Sequence, residues 1–242
     1  MNLHVTDAGA ALFSLAGSGP LVVAQLGQSL DGRVATTTGA SKYISGAAAL
    51  THLHRLRAGV DAVVIGVGTL IADDPALTVR HVPGRSPVRV VIDPDGRAPA
   101  DARVMRDGAA EVICITRRGA PAPAGARRIA LEPGPDGRFA PAAIVAALRA
   151  EGLARILVEG GPDTLGDFLD AGAVDLLHVL VAPIILGSGK TGLSLAPIDQ
   201  LDEALRPRTT VRVLEDGDVL FICDLRRAIA AAPLRSAAEA AI

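Results

Sequence analysis

The sequence predicts an α/β fold, in which helices cover a mainly parallel sheet that ends in an antiparallel hairpin. Apolar runs of strand length recur along the chain, helical patterns alternate with them, and 209–227 contains two strand-like runs around a turn at 215–218. Strands that alternate with helices are typical of parallel sheets joined by crossovers. No internal repeat and no linker divides the chain. We therefore predict one domain at 21–227, preceded by an N-terminal extension at 1–20 and followed by an Ala-rich tail at 228–242.

The composition argues against several kinds of partner. Half of the 242 residues are hydrophobic, so a sizeable core is available. The formal net charge is −2, no basic block occurs, and Trp is absent, which disfavours nucleic acid and anionic membranes as partners. No segment resembles a signal peptide or a membrane span, so a soluble, cytoplasmic protein is expected. Cys114 and Cys223 lie in apolar runs, which predicts buried reduced thiols and no metal site.

The predicted elements follow from these patterns. Strands are expected at 21–26, 62–65, 88–93, 111–116, 126–131, 156–158 and 174–187. Helices are expected at 47–59, 142–150 and from Pro162 onward. Ser45 is placed to cap the first of these helices. The polar segment 27–44 is predicted to be a long loop, and such loops in compact domains are often functional.

A predicted strand is connected to a predicted helix by a glycine-containing junction at 159–162. Glu159 ends the strand, Gly160 and Gly161 follow, and Pro162 suits the first turn of a helix. A helix start offers free N–H groups and a partial positive charge to an anion, and glycines let a pyrophosphate approach the backbone. The alternative is an ordinary strand–loop–helix junction, because the six-residue dinucleotide pattern is absent.

A second cluster of polar residues occupies 61–80. Thr69 is placed to cap a short helical turn, and two adjacent acids, Asp73 and Asp74, follow. Acids followed by Arg80 favour a site that binds hydroxyl groups and a phosphate. The alternative is a capped, solvated turn.

The histidines do not predict a metal site. His52 and His54 are two residues apart on a helix, so they point to different faces, and we expect one to be solvated and one packed. His178 lies in an apolar run and is expected to be packed. The GSGKTG segment does not have the spacing of a phosphate-binding P-loop, so Lys190 is expected on a surface loop within reach of a ligand.

Five motifs together resemble the reductase domain of bacterial riboflavin biosynthesis, which is similar in fold to dihydrofolate reductase. They occur in the order QLGQSLDGRVATTTGASKYIS, GVGTLIADDPALTVR, VRVVID, ILVEGGPDTLGDFL and APIILG. The resemblance spans about 21–227 and implies a dihydrofolate reductase-like three-layer sandwich and a homodimer. The zinc deaminase signature that usually accompanies this domain is absent, so a stand-alone reductase without zinc is expected.

The resemblance implies NADPH-dependent reduction of 5-amino-6-(5-phosphoribosylamino)uracil to 5-amino-6-(5-phosphoribitylamino)uracil. By matching motif positions, the substrate contacts are Ser41, Arg57, Leu77, Arg80 and Glu159. The cofactor contacts are Gly27, Tyr43, Thr69, Asp73, Gly160, Gly161, Pro162, Asp163, Thr164, Leu165, Gly166 and Asp167. Arg57 and Arg80 suit the sugar phosphate as fork-shaped donors. Asp31 matches a motif acid to which no role is assigned.

The hydride must be accompanied by a proton. We expect Asp73, or a water held by it, to handle this proton and Glu159 to orient the ribose hydroxyls. The alternative is that both acids only position ligands while bulk water supplies the proton. For the 2′-phosphate of NADPH, the candidates are Thr116, Arg117 and Arg118, just past a predicted strand. Solvated arginines that close the strand are the alternative.

Two positions depart from the family pattern. Gln25 stands where many members have Lys, and Tyr43 stands where they often have Trp. Gln cannot supply the charge of a lysine, whereas Tyr can still stack or donate a hydrogen bond. The departures leave open a related NADPH-dependent reductase acting on another pyrimidine, a pterin or a small carbonyl compound, and also a nucleotide-binding protein without catalysis.

Overall fold

A ten-stranded sheet forms the centre of the described molecule. The computed structural model describes residues 4–5, 15, 17–41 and 44–226, with the backbone alone for 4–5. Its strands are β1 (His4–Val5), β2 (Leu21–Ser29), β3 (Arg33–Ala35), β4 (Ala62–Gly66), β5 (Val88–Ile92), β6 (Val112–Arg117), β7 (Arg127–Leu131), β8 (Arg155–Val158), β9 (Leu176–Ala182), β10 (Lys190–Thr191), β11 (Arg208–Val213) and β12 (Val219–Asp224). Within the sheet they run in the order β1-β11-β12-β9-β2-β8-β4-β5-β6-β7, and β3 pairs with β10 in a separate ribbon.

The sheet is parallel from β9 to β7 and antiparallel at its other end. Each adjacent pair of strands from β9 through β2, β8, β4, β5 and β6 to β7 is parallel, whereas β12 runs antiparallel to β9 and to β11. The fold prediction is therefore confirmed, including the C-terminal hairpin. β1 adds a short parallel edge to β11 within the segment predicted as an N-terminal extension.

Helices cover both faces of the sheet, as the three-layer prediction requires. The helices are α1 (Ala47–Ala58), α2 (Val67–Asp73), α3 (Arg103–Arg106), α4 (Pro141–Ala150) and α5 (Pro162–Asp170). Leu56, Leu70 and Val104 pack α1, α2 and α3 on one face. Leu148 and Phe168 pack α4 and α5 on the other. No helix in the described part of the chain is long and apolar enough to cross a bilayer.

The sheet order creates a crevice at the carboxyl ends of β8 and β4. These strands are adjacent and parallel, although α4 and several strands separate them in sequence. The chain leaves β4 into α2 on one face and leaves β8 into α5 on the other face. In open α/β sheets, ligands bind where successive connections diverge in this way.

Several predicted boundaries are wrong. The first strand continues to Ser29, and β3 lies inside the segment 27–44 that was predicted to be a loop. The run 174–187 forms a strand only from 176 to 182, because the chain turns away at Pro183, which lacks a backbone donor. The elements β1, α3 and β10 were not predicted, because they contain too few residues to show a recognisable hydrophobic periodicity.

Ser45 does not cap α1. The residue at the cap position is Gly46, which has no side chain to accept a hydrogen bond. Carboxylates from the hairpin turn supply the caps: the Gly46 N–H donates to Asp218 (2.9 Å) and the Ala48 N–H donates to Asp216 (2.7 Å). The cap is therefore non-local, and its partner lies about 170 positions away in the sequence.

The expectation of one solvated histidine on α1 is wrong. His52 is 4% exposed and His54 is fully buried, whereas His178 is packed as predicted. His52 Nε2 lies 3.0 Å from Nδ1 of His178 on β9. The sheet therefore provides a polar partner for the buried His52 ring. Cys114 and Cys223 are buried free thiols, as expected. The Ala-rich tail at 228–242 lies outside the described residues.

Candidate active site

Two adjoining cavities lie at the carboxyl ends of the central strands. The first cavity has a volume of about 280 Å³ and is lined by Gly66, Val67, Gly68, Thr69, Ile92, Pro94, Arg97, Arg138, Phe139, Pro141, Ile144, Gly161, Asp163, Thr164, Asp167, Phe168 and Lys190. The second cavity has a volume of about 360 Å³ and is lined by Gln25, Leu26, Gly27, Val34, Ala35, Gly39, Ser41, Gly68, Thr69, Ala72, Asp73, Glu159, Gly160, Gly161, Pro162 and Lys190. The two share a border formed by Gly68, Thr69, Gly161 and Lys190.

The glycine junction forms part of this shared border. The Gly161 N–H donates to the Thr69 hydroxyl at 3.1 Å, so Thr69 joins α2 to α5 and does not act as the predicted cap. A Cβ on Gly161 would lie 3.3 Å from Thr69 Oγ1 and 4.0 Å from Lys190 Nζ. A Cβ on Gly160 would collide with the side chain of Thr164. Gly161 therefore keeps the backbone open at the border, and Gly160 makes room for the side chain of Thr164.

The start of α5 suits an anion. Gly161 precedes the helix and Pro162 occupies its first position, where a missing N–H removes no helical hydrogen bond. Asp163 and Thr164, in the first turn, line the first cavity. The partial positive charge of the helix start and the exposed glycine backbone can hold a phosphate group there.

Glu159 is held by a buried ion pair with Arg57. Arg57 Nε donates to Oε1 of Glu159 at 2.8 Å and Nη2 donates to Oε2 at 2.6 Å. The two side chains are 7% and 8% exposed, and Arg57 Nη1 also donates to the Thr78 carbonyl at 3.1 Å. Burial lowers the pKa of Arg57, but the Glu159 charge and hydrogen bonds outweigh it and the net shift is upward. Glu159 thus enters the second cavity as an oriented carboxylate.

Arg80 belongs to a cationic cluster beside this pair. Its backbone N–H donates to His54 Nδ1 at 3.0 Å, and its Nη1 donates to the Thr78 hydroxyl at 2.9 Å. Partial burial, and then the positive charges of Arg57 and Arg103, lower the pKa of Arg80. In the described part of the chain no carboxylate forms an ion pair with Arg80, so an anionic ligand would relieve this repulsion.

Several residues named by the sequence meet at the second cavity. Gly27, Ser41, Asp73, Glu159, Gly160, Gly161 and Pro162 all line it. Thr69 lines both cavities, and Asp163 and Thr164 line the first. Lys190, which the sequence placed within reach of a ligand, lies on their border.

Other predicted residues lie elsewhere. Neither lining includes Arg57, Arg80, Leu77, Leu165, Thr116 or Arg117. Leu165 is fully buried in the core, and Leu77 is 2% exposed with a left-handed φ of 55°, a conformation that is uncommon for leucine. Thr116 is fully buried, and Arg117 forms an ion pair with Asp95 at 3.1 Å. Tyr43 lies outside the described residues.

Asp31 has a structural role that the sequence left open. It accepts hydrogen bonds from the Ser29 hydroxyl (2.6 Å) and from the N–H groups of Leu186 (3.0 Å) and Gly187 (2.8 Å). The Ser29 hydrogen bond, followed by that from Leu186, lowers the pKa of Asp31 to about 2. Asp31 therefore ties the segment after β2 to the segment after β9.

Two arginines are among the cavity residues that sequence reasoning missed. Arg97 and Arg138 line the first cavity, and they lie 41 positions apart in sequence. Each follows the tripeptide Pro-Asp-Gly, and this recurrence was the available signal.

A family model described as the RibD C-terminal domain matches residues 20–216. The 2,5-diamino-6-ribosylamino-4(3H)-pyrimidinone 5′-phosphate reductase of Methanothermobacter thermautotrophicus is 36% identical over 204 residues, covering 77% of this chain and 89% of that protein. The riboflavin biosynthesis protein RibD of Aquifex aeolicus is 35% identical over 190 residues, covering 78% of this chain and 53% of that protein. The chain therefore spans about half of this RibD relative and most of the archaeal reductase.

Solved structures agree with this placement. The Thermotoga maritima deaminase/5-amino-6-(5-phosphoribosylamino)uracil reductase has a TM-score of 0.72 and 28% identity, covering 86% of this chain and 57% of that one. The Saccharomyces cerevisiae riboflavin biosynthesis reductase Rib7, at 21% identity, has a TM-score of 0.71 and shares the fold over 89% of this chain and 94% of that one. The chain belongs to the RibD C-terminal domain family, and its relatives are named as reductases of riboflavin biosynthesis.

Proposed function

We propose that this chain reduces 5-amino-6-(5-phosphoribosylamino)uracil to 5-amino-6-(5-phosphoribitylamino)uracil with NADPH. The observation that carries the proposal is the pair of cavities with a shared border at Thr69, Gly161 and Lys190. A reductase must hold a dinucleotide and a second ligand in contact, and two cavities that meet at a glycine-lined helix start provide this arrangement. Family membership supports the reductase class.

The residues of the first cavity fit the adenosine half of a dinucleotide. Ile92, Phe139, Ile144 and Phe168 provide an apolar lining for a planar ring. The start of α5, which is open at Gly161, provides N–H groups for a pyrophosphate. When bound, NADPH supplies the hydride, and the nicotinamide half would cross the border toward Gly27 and Ser41.

The second cavity provides the groups that a sugar requires. Glu159, oriented by Arg57, accepts hydrogen bonds from ribose hydroxyls, because its two oxygens retain lone pairs beyond those used by the guanidinium. Asp73 lines the same cavity, and we propose that it holds the water or acid proton that accompanies the hydride. Gln25, in place of a lysine, contributes an amide to this cavity and no charge.

The proposed phosphate site is the cationic cluster around Arg80. Its guanidinium has no carboxylate partner among the described residues, and a sugar phosphate would neutralise it. Arg57 was expected to share this role. Its three hydrogen bonds to Glu159 and Thr78 instead support a positioning role for Arg57.

A second candidate substrate is favoured by one comparison. The relative from Methanothermobacter, most of which aligns with this chain, is named for a 2,5-diamino-6-ribosylamino-4(3H)-pyrimidinone 5′-phosphate. That compound presents an amino group where the uracil presents a carbonyl. The Gln25 side chain can accept a hydrogen bond from the amino group through its oxygen, or donate one to the carbonyl through its nitrogen. This residue therefore does not decide between the two substrates.

The test is NADPH oxidation by the purified chain with each of the two pyrimidines in turn. We expect oxidation with the phosphorylated pyrimidines and none with a pterin or with the dephosphorylated riboside. The ratio of the two kcat/KM values identifies the preferred substrate. Oxidation with none of these pyrimidines, together with failure to complement a strain that lacks the pyrimidine reductase, would overturn the proposal.

The homodimer and the absence of nucleic acid as a partner stay predictions. A light-scattering mass of two chains at micromolar concentration is expected. A mass of one chain would contradict the dimer.

A further inference from the structure

The segment 75–80, between α2 and β5, is held in place by side chains. It belongs to no helix or strand, and in the described part of the chain it forms no hydrogen bond with another backbone group. Side chains bind its backbone instead: Arg57 Nη1 donates to the Thr78 carbonyl (3.1 Å), the Val79 N–H donates to Ser86 (3.1 Å) and the Arg80 N–H donates to His54 Nδ1 (3.0 Å). The position of the Arg80 backbone therefore depends on a few side chains.

Two of these side chains come from one face of α1. His54 and Arg57 are three residues apart, the spacing at which helical side chains lie next to each other. Arg57 also binds both carboxylate oxygens of Glu159. One helix face therefore holds the carboxylate proposed to orient the sugar and the backbone of Arg80, the arginine proposed to bind the phosphate.

The hydrogen bond from Arg80 specifies which nitrogen of His54 carries the proton. A nitrogen that accepts from an N–H group is unprotonated, so the proton of the neutral ring lies on Nε2. The ring is fully buried, and burial, followed by the positive charges of Arg57 and Arg80, lowers the pKa of His54 to about 4. His54 is therefore neutral near pH 7 and serves as a fixed acceptor.

The other ring nitrogen argues against a role in packing alone. His54 Nε2 is buried and has no hydrogen-bond partner among the described residues. The neighbouring ring of His81 lies with its centroid 4.5 Å away and its plane inclined at 56°. A buried donor without a partner costs free energy, which a leucine of similar size would not incur. The hydrogen bond that Nδ1 accepts from Arg80 is the contact that accounts for a histidine at this position.

We propose that His54 is a positioning residue of the active site, which holds Arg80 at the distance from Glu159 that a phosphorylated sugar spans. The inference rests on the proposed function and adds a residue that lines neither cavity. The Arg80 guanidinium donates to the hydroxyl of Thr78 at 2.9 Å, so it is anchored to the same segment. Without the His54 acceptor, this segment can shift and carry the guanidinium away from the phosphate.

The test uses variants of His54 that keep or remove the accepting atom. His54→Asn retains an oxygen near the position of Nδ1, because both atoms are bonded to Cγ. His54→Gln places its amide near the position of Nε2 instead, and His54→Leu has no polar atom. His52→Leu is the matched control, because His52 is also buried on α1 but faces His178.

NADPH oxidation by the full chain is measured with the phosphorylated pyrimidine as substrate and inorganic phosphate as a competing anion. We expect His54→Leu and His54→Gln to raise the pyrimidine KM by roughly tenfold and to weaken inhibition by phosphate similarly. The kcat and the Kd of NADPH should stay within about twofold of the wild type, since the phosphate lies away from the reacting atoms. His54→Asn should restore the KM to within about threefold, and His52→Leu should leave it within about twofold.

Nitrogen NMR of the His54 ring provides a readout that needs no substrate. We expect a neutral ring at pH 7 with the proton on Nε2, and a spectrum that shows the proton on Nδ1 would overturn the inference. Circular dichroism checks that each variant is folded. If His54→Leu does not fold, the contrast between His54→Asn and His54→Gln and the ring spectrum decide.

The kinetic outcomes separate this inference from the function on which it rests. If the wild type oxidises NADPH with the pyrimidine and folded His54→Leu keeps the wild-type KM and phosphate inhibition, the inference is wrong and the proposed function stands. Equal losses in the Asn, Gln and Leu variants would assign His54 to packing, which also contradicts the inference alone. A wild type that oxidises NADPH with neither pyrimidine overturns the proposed function and the positioning role together.

Discussion

The two cavities differ in how their charged groups are held. In the second cavity, Glu159 is paired with Arg57 in a nearly buried bidentate bridge, with side chains 7% and 8% exposed. In the first cavity, Arg138 is paired with Asp167 at a similar distance, but the side chains are 56% and 40% exposed. Arg97 has no partner in the described part of the chain. An arginine–carboxylate ion pair therefore occurs in both cavities, but it is buried in the second cavity and exposed to exchange with other ions in the first.

The two ion pairs have similar distances, so their different burial determines how easily each carboxylate can be replaced by a ligand. A buried carboxylate that keeps its partner is already oriented before a substrate arrives, which suits a group next to the reacting atoms. An exposed pair can give up its carboxylate for a ligand phosphate at little cost. If the proposed function is correct, the second cavity offers a carboxylate that is oriented in advance, and the first offers an exposed ion pair that a bound cofactor can replace.

The largest expected effect comes from breaking the buried pair. Glu159→Gln leaves Arg57 buried without its counter-charge, so we expect the free energy of unfolding to fall by about 3–5 kcal/mol. Asp167→Asn breaks the exposed pair and should cost less than about 1 kcal/mol. Urea denaturation of both variants measures the contrast. Equal losses would mean that burial does not distinguish the two pairs.

Buried histidines behind the second cavity should make the stability of the fold sensitive to acid. Burial lowers the pKa of His52 to about 3, with His178, Arg55 and Arg212 adding to the shift, and burial lowers that of His178 to about 4. His178 lies in register with Gln25, which lines this cavity. Because the folded pKa values lie below the unfolded value of 6.5, stability is complete above pH 6.5 and is lost as the pH falls toward 4.

Between pH 6.5 and pH 5.5 each of these histidines should cost about 1 kcal/mol of unfolding free energy. His54, whose pKa is lowered to about 4 by burial and then by Arg57, should add a similar amount. This window lies above the range in which ordinary carboxylates titrate. Denaturation midpoints across the window provide the measurement, and a constant stability would contradict the buried, neutral state of these rings.

Asp73 tests whether the second cavity moves a proton. If it holds the proton that accompanies the hydride, Asp73→Asn should slow single-turnover NADPH oxidation by about a hundredfold or more and change its pH profile. Glu159→Gln should weaken substrate binding, because it removes an oriented acceptor. A wild-type rate and pH profile for Asp73→Asn at saturating ligands would assign the proton to bulk water.

Gly161 tests the border between the cavities. A Val side chain would meet Thr69 and Lys190, so Gly161→Val should weaken NADPH binding by roughly tenfold to a hundredfold. Gly19→Val is a suitable control, because a Cβ on Gly19 meets no atom within 4 Å and lies outside both cavities. If folded Gly161→Val binds NADPH with unchanged affinity, the cofactor does not bind at the start of α5.

Local patterns predicted most of the fold. The strand-to-helix junction at 159–162 was recognisable because glycine adopts backbone conformations that other residues avoid and proline suits the first position of a helix. The sheet order was not accessible, since the insertion of β8 between β2 and β4 depends on contacts far apart in sequence. The cap of α1 by Asp216 and Asp218 was missed for the same reason.

The candidate site was predictable where a motif placed a residue at a strand end. Glu159 directly follows β8, whereas Asp73 ends α2, the helix that follows β4, and both line one cavity. The roles of arginines were harder to predict, because a sequence does not reveal which carboxylate faces each guanidinium. Arg57 was expected to meet a phosphate but is bonded to Glu159, whereas Arg97 and Arg138 were missed because their turns converge only in the folded chain.

The central claim is that the two cavities bring a nicotinamide and a sugar into contact across Gly161. The most direct measurement is a single turnover with NADPH deuterated at both positions of the reactive nicotinamide carbon, followed by mass spectrometry of the product. Direct transfer predicts one deuterium in each product molecule, located at the first carbon of the ribityl chain. A product without deuterium, formed while the labelled cofactor is oxidised, would contradict direct transfer between the cavities.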